Sequence, residues 1–272
     1  MRLLPDPEAL ANGLSALMQK GGWLIAPLGG MALLYLLQDK LVFNPVNTPA
    51  SLYRASGGHR GRAVTLSMHD GNRLRGWWLR PHRKTPTLAP ALRGVHSLFL
   101  NYRGYGGSRV SSERAVLADA LTLYDWISSR PGVDPHRVGL IGRSLGSGIA
   151  AYVASERPAA AVVLITPYDS VVEIARRRFP YCATQILLKH RFDALGFARR
   201  ARAPALVLLA EVDTVIPKHH ALHLIEAWAG KKEVVLIQNT NHCDVQEHVH
   251  SWQAIAQFLT QQFNLEQSER AT

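Results

Sequence analysis

One serine of the chain stands in a setting that suits nucleophilic chemistry. Ser144 is the middle residue of GRSLG at 142–146, a G-x-S-x-G pattern between a β-rich apolar run and a small-residue segment typical of a helix. In such a strand–turn–helix the serine occupies a strained turn, and the flanking glycines let the two backbones approach closely. The N-terminal end of the helix directs partial positive charge toward negative charge that develops there. The pattern predicts a nucleophile, with a purely structural glycine-rich turn as the alternative.

A serine hydroxyl is too weakly acidic to attack unaided, so it needs a neighbouring base that an acid orients. His242 lies in NHCD at 241–244, between the last predicted strand and the last predicted helix. Asp213 follows the preceding predicted strand. Nucleophile, acid and base therefore occur in the order Ser144, Asp213, His242, which is one of the orders known for catalytic triads. We predict that these three residues act together.

Other residues compete for the roles of base and acid. Several of the 12 histidines are grouped on predicted helices, where solvated or capping positions are commoner than metal binding: His219, His220, His223, His248 and His250. Asp169, which also follows a predicted strand, is the alternative acid. Glu211 and Asp244 are expected to support the site indirectly or to stabilise loops.

The elements that must position these residues alternate between short apolar strands and helices. A hairpin is predicted at 63–80, and the further predicted strands lie at 97–102, 137–142, 160–165, 204–209 and 233–237. Helices are predicted at 113–130, 147–156, 218–229 and 245–263. This alternation predicts an α/β fold in which a mostly parallel sheet, with an antiparallel edge, is covered by helices on both faces. Ligands of such sheets bind at the carboxyl ends of the strands, where the three predicted catalytic residues fall.

Four stretches together resemble the membrane-anchored α/β-hydrolases of the serine-aminopeptidase-like group, which includes depalmitoylating relatives: NYRGYGGS at 101–108, GRSLGSG at 142–148, LLAEVDTVIP at 208–217 and NTNHCD at 239–244. The similarity runs over about residues 33–263. It implies an α/β-hydrolase fold, with Ser144 as nucleophile, Asp213 as acid and His242 as base. The backbone N–H of Leu145 would be one oxyanion donor. The resemblance implies neither a metal nor an organic cofactor.

The chain departs from this family's pattern ahead of the strand at 97–102. The family normally has a further strand, an HGN-type loop and a helix there, and the loop supplies a second oxyanion N–H. Only residues 81–96 are available, whereas a βαβ crossover needs about 30 residues. We therefore predict that one central strand and half of the oxyanion hole are missing, so that the sheet is open beside the strand leading to Ser144. Tyr102 and Arg103 are candidates for compensation, although a purely structural turn is favoured there.

The N-terminal region contains a candidate membrane anchor. Residues 21–38 carry no charge and are bounded by Lys20 and Asp39, and this length is at the short end of what a spanning helix needs, about 20 residues. A retained single-pass anchor within 1–40 is favoured over a buried or amphipathic helix and over a cleaved signal peptide. The basic excess beyond it slightly favours a cytoplasmic domain. The rest of the expected organisation is a linker at 41–50, a hydrolase domain at 51–265 with a small lid at about 168–197, and a tail at 266–272.

The formal net charge of +11 favours contact with anionic surfaces. The basic residues concentrate at 51–110 and at 176–202. A solvated basic exterior is the simplest explanation, membrane lipid is the favoured partner beyond that, and no nucleic-acid motif accompanies the charge. The two cysteines, Cys182 and Cys243, suit neither a zinc site nor a disulfide framework.

The sequence therefore predicts a membrane-anchored serine hydrolase that acts by acyl transfer on an ester, a thioester or an amide, in a small-molecule, acylated or peptide substrate. The alternative is a catalytically weak or inactive hydrolase-like binding or scaffold protein at the membrane, because the second oxyanion segment is missing. A third hypothesis is a basic protein that binds lipid surfaces. The oligomeric state is left open.

Overall fold

A computed structural model describes residues 35–36, 38, 42–43, 61–79, 95–104, 112–179 and 183–264. Of the candidate anchor at 21–38, only Tyr35, Leu36 and Gln38 belong to these ranges, and the linker at 41–50 is represented by Val42 and Phe43 alone. Most of the segment at 81–96 and the whole tail at 266–272 lie outside them. Within the described residues, the structure contains no helix with the length and apolar character that crossing a membrane requires.

The strands of the described residues form two sheets. The antiparallel sheet has the order β1-β2-β3 and consists of β1 (Gly61–Ser67), β2 (Arg73–Leu79) and β3 (Ser97–Leu100). The parallel sheet has the order β4-β5-β6-β7 and consists of β4 (Gly139–Arg143), β5 (Ala161–Ile165), β6 (Ala205–Val212) and β7 (Lys232–Asn241). The predicted hairpin turns at Gly71, whose φ of 77° suits glycine. The predicted α/β fold with a parallel sheet is confirmed. Among the described residues the hairpin pairs with β3 in a sheet of its own instead of forming an antiparallel edge of the parallel sheet.

The helices occupy the predicted stretches, and three short ones form the segment between β5 and β6. The first long helices are α1 (Glu113–Ser128) and α2 (Leu145–Glu156). The segment after β5 contains α3 (Val171–Arg178), α4 (Thr184–Leu187) and α5 (Ala194–Ala198). The last two helices are α6 (Lys218–Ala227) and α7 (Val249–Phe263). Side-chain caps begin several of them, as where the Ser170 hydroxyl accepts a hydrogen bond from the backbone N–H of Glu173 at the start of α3.

The alternating residues of the central strands show that both faces of the parallel sheet are covered. On one face, Val162 and Leu164 of β5 pack in a buried cluster with Ile149 of α2 and residues of α5 and α6. On the other face, Val163 of β5 packs with Phe258 of α7. Because successive side chains of a strand point to opposite faces, one continuous apolar run supplies both cores.

Among the described residues, the two sheets share no strand. Within those ranges, β3 pairs with β2 only and β4 pairs with β5 only. Phe99 of β3 and Ile141 of β4 are both exposed large apolar side chains. One edge of β4, the strand that leads to Ser144, thus has no partner among the described strands, and the sequence predicts an opened sheet there. The deletion itself stays a prediction, because residues 80–94 lie outside the described ranges.

Arg103, which follows β3, is a structural residue. Its buried guanidinium forms ion pairs with the buried Asp119 of α1 and with Asp70 in the hairpin turn, and its Nη2 donates to Asp119 Oδ1 over 2.6 Å. These contacts join the antiparallel sheet to α1. Arg103 therefore does not replace a missing oxyanion donor.

Arg103→Met is expected to lower the free energy of unfolding by about 3–5 kcal/mol, because it leaves Asp119 buried without its cation. The matched control is Arg157→Met, whose ion pair with Asp125 is largely exposed and is expected to contribute about 0–1 kcal/mol. Urea unfolding at neutral pH measures both changes. Equal losses in the two variants would contradict the structural role of Arg103.

The same ion pairs make part of the free energy of unfolding depend on pH in the acidic range. The hydrogen bond from Arg103 lowers the pKa of Asp70 from 3.8 to about 2. A carboxyl group whose pKa is lower in the folded than in the unfolded protein stabilises the fold at any pH above its unfolded-state pKa. That contribution disappears as the pH falls through its folded-state pKa. We therefore expect the wild-type protein to lose this contribution between about pH 4 and pH 2, and Arg103→Met to lack it.

Candidate active site

Ser144 lies in a tight turn between β4 and α2. Its backbone has φ 50° and ψ −122°, and its N–H donates to the carbonyl oxygen of Ile165 over 3.0 Å. A Cβ atom at Gly142 would lie 2.2 Å from the carbonyl oxygen of Gly146, so this turn cannot close with a side chain there. Helix α2 begins at Leu145, two residues before the predicted start, because the turn runs directly into the helix. The strand–turn–helix setting is confirmed.

His242 connects the serine to an acid in one hydrogen-bonded row. Its Nε2 lies 3.0 Å from Ser144 Oγ, and its Nδ1 lies 2.8 Å from Asp213 Oδ2. A carboxylate can only accept, so Nδ1 carries the proton and Nε2 is free to accept from the serine hydroxyl. The imidazole is buried, with 7% of the residue exposed. This is the geometry that lets a histidine remove a serine proton.

The loop after β6 holds Asp213 as an anion. Its Oδ1 accepts hydrogen bonds from the backbone N–H groups of Val215 at 2.9 Å and of Ile216 at 2.7 Å. Burial alone would raise the pKa of Asp213, but the hydrogen bonds with His242 and with these two N–H groups outweigh it and lower the pKa. The acid therefore stays charged and orients the imidazole across the neutral pH range.

The loop that carries His242 is fixed by polar contacts on both sides. Asp244 accepts from the backbone N–H of Asn241 at 2.7 Å and from its Nδ2 at 2.6 Å, and this is the loop-stabilising role predicted for it. Glu211 likewise accepts from the backbone N–H of Asn239 at 2.8 Å. Arg143 donates from Nη2 to the carbonyl oxygen of His242 over 2.8 Å. The sequence analysis did not predict this contact of Arg143. Its position next to Ser144 inside the G-x-S-x-G motif could have indicated a role at the site.

Asp169, the alternative acid, binds a different pair of histidines. Its Oδ1 lies 2.8 Å from His220 Nδ1, and its Oδ2 lies 3.1 Å from His223 Nδ1. His220 is buried, so the prediction of a solvated or capping position was wrong for this residue. His248, by contrast, caps α7 and accepts from the backbone N–H of His250 over 3.4 Å. Within the ranges that the structure describes, no group of His, Cys, Asp and Glu side chains has the arrangement of a metal site.

Two tyrosines lie against the first turn of α2. A Cβ atom at Gly146 would lie 2.7 Å from the Tyr102 hydroxyl, which places that hydroxyl beside the turn. The Tyr168 hydroxyl lies 3.4 Å from the carbonyl oxygen of Leu145, and burial raises its pKa, so it stays protonated. The backbone N–H of Leu145 is at the start of the helix, as an oxyanion donor requires. Tyr102 therefore stays a candidate for compensating the missing oxyanion donor, whereas Arg103 is bound to Asp119 and Asp70.

A cavity of about 310 Å³ opens beside Ser144 and Leu145. Most of the side chains around it are apolar. They come from α3 and α4, from the described residues ahead of β1 and from the loop after β6, and include Tyr35, Val42, Val171, Ile174, Leu187 and Ile216. Among the described residues of its lining, Arg178 carries a positive charge. The cavity thus offers an apolar space next to the serine hydroxyl.

The fold and the site together are those of an α/β-hydrolase. Comparison with known proteins agrees: the family model of acetyl xylan esterase (AXE1) matches residues 107–262. An uncharacterized protein of Mycobacterium tuberculosis is 30% identical over 242 residues, which cover 79% of this chain and 84% of that protein. The mouse lysophosphatidylserine lipase ABHD12 is 31% identical over 176 residues, 58% of this chain and 43% of the lipase.

Solved structures show the same fold. The acetyl xylan esterase from Paenibacillus sp. R4 superposes with a TM-score of 0.59 at 19% identity, over 72% of this chain and 82% of the esterase. The chain therefore belongs to the α/β-hydrolase family, in the branch that the acetyl xylan esterase model describes, and is a hydrolase enzyme.

Proposed function

We propose that the protein is a serine hydrolase that transfers an acyl group from an ester, thioester or amide to water through Ser144. The observation that carries this proposal is the unbroken row from Ser144 Oγ to His242 Nε2 and from His242 Nδ1 to Asp213 Oδ2. As Oγ attacks the substrate carbonyl carbon, its proton passes to His242 Nε2. Asp213 orients the imidazole and stabilises the positive charge that it acquires.

The tetrahedral intermediate carries its negative charge on the former carbonyl oxygen, which accepts from the N–H of Leu145. The intermediate collapses when the bond to the leaving alcohol, thiol or amine breaks and that group takes the proton from His242. Water then donates a proton to His242 Nε2 and attacks the acyl carbon. The second intermediate collapses when the bond to Ser144 Oγ breaks and Oγ takes the proton back from His242, which releases a carboxylic acid. The residues of this chain thus supply every proton transfer in the cycle.

The cavity favours an ester with an apolar acyl chain. Its apolar lining begins at Ser144 and extends under α3 and α4, whereas a short acetyl group would leave most of the space empty. Among relatives, the mouse protein is named a lysophosphatidylserine lipase, and the family model is named for acetyl xylan. The size and apolar character of the cavity lead us to infer the longer acyl group for this chain.

A fluorophosphonate probe tests the mechanism directly, because its phosphorus forms a bond only to an activated serine as fluoride leaves. We expect labelling of the folded wild-type protein and none of Ser144→Ala. Unlabelled but folded wild-type protein would favour the alternative of a non-catalytic binding protein. Labelling that persists in Ser144→Ala would assign the nucleophile to another residue.

Ala175→Trp is expected to shorten the acyl chains that the enzyme accepts. Ala175 of α3 lines the cavity, and an indole there would displace several methylene groups of the substrate, each contributing about 0.8 kcal/mol. We expect kcat/KM for an octanoyl ester to fall by about 10- to 100-fold, while that for an acetyl ester is retained. Ala229→Trp, at an exposed alanine outside this cavity, is the matched control and is expected to change neither.

We also propose that residues 21–38 hold the enzyme in a membrane as a single-pass anchor, with the hydrolase domain on the cytoplasmic side. The uncharged sequence of this stretch and the basic excess beyond it support the proposal. Retention of the full chain in the membrane pellet after alkaline extraction would support anchoring, and release into the supernatant would contradict it.

A further inference from the structure

Several large apolar side chains are exposed in or directly beside the segments that line the cavity. Ile186 precedes the lining residue Leu187, and Leu36 follows the lining residue Tyr35. Ile186 of α4 is 84% exposed and Leu36 is 70% exposed. Tyr35 and Phe179, which line the cavity itself, are exposed as well. Single exposed apolar residues are common on proteins, but a group that lies beside an apolar cavity marks an interaction surface. We call these four exposed residues, with the cations described next, the mouth surface.

Cations occur in the same segments: Arg178 lines the cavity together with Phe179, and Arg177 lies near His219 of α6. Arg176, Arg177 and Arg178 form the last turn of α3 and are exposed. Lys189 places its Nζ 4.2 Å from the centroid of the Tyr35 ring. The acidic residue paired with this group is Glu173, which lies 2.7 Å from Arg176. The mouth surface therefore carries an excess of positive charge.

The N-terminal apolar stretch ends at this same surface. Gln38 donates from Nε2 to the carbonyl oxygen of Leu187 over 3.2 Å, and its Oε1 accepts from the backbone N–H of Lys189 at 2.6 Å. These two bonds tie the end of residues 21–38 to α4. A membrane that holds this stretch would consequently face the mouth of the cavity.

We propose that the mouth surface docks on an anionic phospholipid bilayer, with Ile186 and Leu36 in the acyl region and the arginines on the headgroups. Exposed apolar side chains flanked by Lys and Arg are the pattern of interfacial membrane binding, which gains from both burial and charge. A nucleic acid would pair with the arginines but would leave Ile186 in water. Docking would open the cavity directly to lipid, so that an acyl ester enters from the bilayer. This last step rests on the proposed hydrolase activity, whereas docking does not.

Fluorescence quenching by brominated lipid tests docking without any enzymatic readout. The full chain with Ile186→Trp and the full chain with Val234→Trp are reconstituted into vesicles of brominated phosphatidylcholine, with or without phosphatidylglycerol. Val234 is 45% exposed near the amino end of β7, the last strand in the order of the parallel sheet, and is not among the residues that line the cavity. The six native tryptophans supply a common background. We expect quenching of the indole of I186W in the anionic vesicles and none for V234W.

The charge contribution is tested in the same vesicles. Arg177→Gln in the I186W background is expected to lower the docked-to-undocked ratio about fivefold, since each basic residue near an anionic surface contributes about 1 kcal/mol. Lys231→Gln, at an exposed lysine just before β7, is the matched control and is expected to leave the ratio unchanged. Added salt screens the attraction between cations and anionic lipid. It should therefore weaken quenching in the control variant more than in Arg177→Gln.

An unquenched indole of I186W in anionic vesicles would overturn the proposal. A DNA oligonucleotide that alters this emission where anionic lipid does not would overturn it as well, in favour of a nucleic-acid site. Hydrolysis of a water-soluble acetyl ester by the same samples separates the two proposals. Loss of quenching with esterase activity intact would contradict docking alone, and quenching without any Ser144-dependent activity would contradict the hydrolase alone.

Discussion

Replacing Ser144 by alanine is expected to reduce kcat for an acyl ester by a factor on the order of 10⁵, because no other group in the row can form the acyl-enzyme. The backbone N–H of Leu145 and the cavity remain, so binding of the ester is expected to change little. A small residual rate over water should persist from that binding. Steady-state kinetics with a chromogenic octanoyl ester measure both parameters.

Ser155→Ala is the matched control for this substitution. Ser155 lies in the last turn of the same helix, where its hydroxyl donates to the carbonyl oxygen of Tyr152 over 2.8 Å. We expect its kcat to remain within about twofold of the wild-type value, since surface substitutions away from special features have small effects. A similar loss of kcat in the two variants would show that the helix, and not the Ser144 hydroxyl, is what the first substitution disturbs.

Asp213→Asn is expected to lower kcat by about 10⁴-fold, because an amide facing His242 Nδ1 favours the wrong tautomer and cannot stabilise the imidazolium. Asp169→Asn makes the same chemical change at the alternative acid, which binds His220 and His223 instead. It is expected to lower the free energy of unfolding by about 1–3 kcal/mol with kcat nearly unchanged. If Asp169→Asn lost activity as Asp213→Asn does, the assignment of the acid would be wrong.

The lowered pKa of Asp213 gives this comparison a pH signature. The pKa of this carboxyl group is lower in the folded protein than its ordinary value. The anion therefore stabilises the fold at a pH above the ordinary pKa. The contribution is lost as the pH falls through the lowered value. Asp213→Asn should therefore remove part of the acid dependence of the free energy of unfolding, as followed by urea unfolding at several pH values.

Several element boundaries were not predictable from periodicity alone. The predicted helix at 245–263 begins at Val249, because residues 242–248 form turns that the hydrogen bonds of Asp244 with Asn241 hold together. Strand β7 runs over Lys232–Asn241 instead of 233–237, since its pairing with β6 continues past a shift in register between Ala210 and Val212. Both differences arise from contacts between segments distant in the chain or from side chains that fold back locally.

The burial of single residues also depends on contacts between segments that are distant in the chain. From its place on a predicted helix, His220 is expected to be solvated. From its place in a glycine-rich turn, Arg103 is expected to be a turn residue. Each is buried because a carboxylate from another element lies beside it: Asp169 for His220 and Asp119 for Arg103. A buried ionisable group needs such a partner, and the partner's position is a property of the fold.

The sequence by itself determined the order of strands and helices, the elbow at Ser144 and the presence of an acid and a base after later strands, because backbone preferences and side-chain periodicity are local. Only the tertiary structure decided that Asp213, and not Asp169, faces His242, that Arg143 holds the carbonyl group of His242, and that apolar and basic side chains meet at the mouth of the cavity. Parallel strands bring their carboxyl ends to one edge, but which of those side chains touch depends on distances across the fold that no local pattern records.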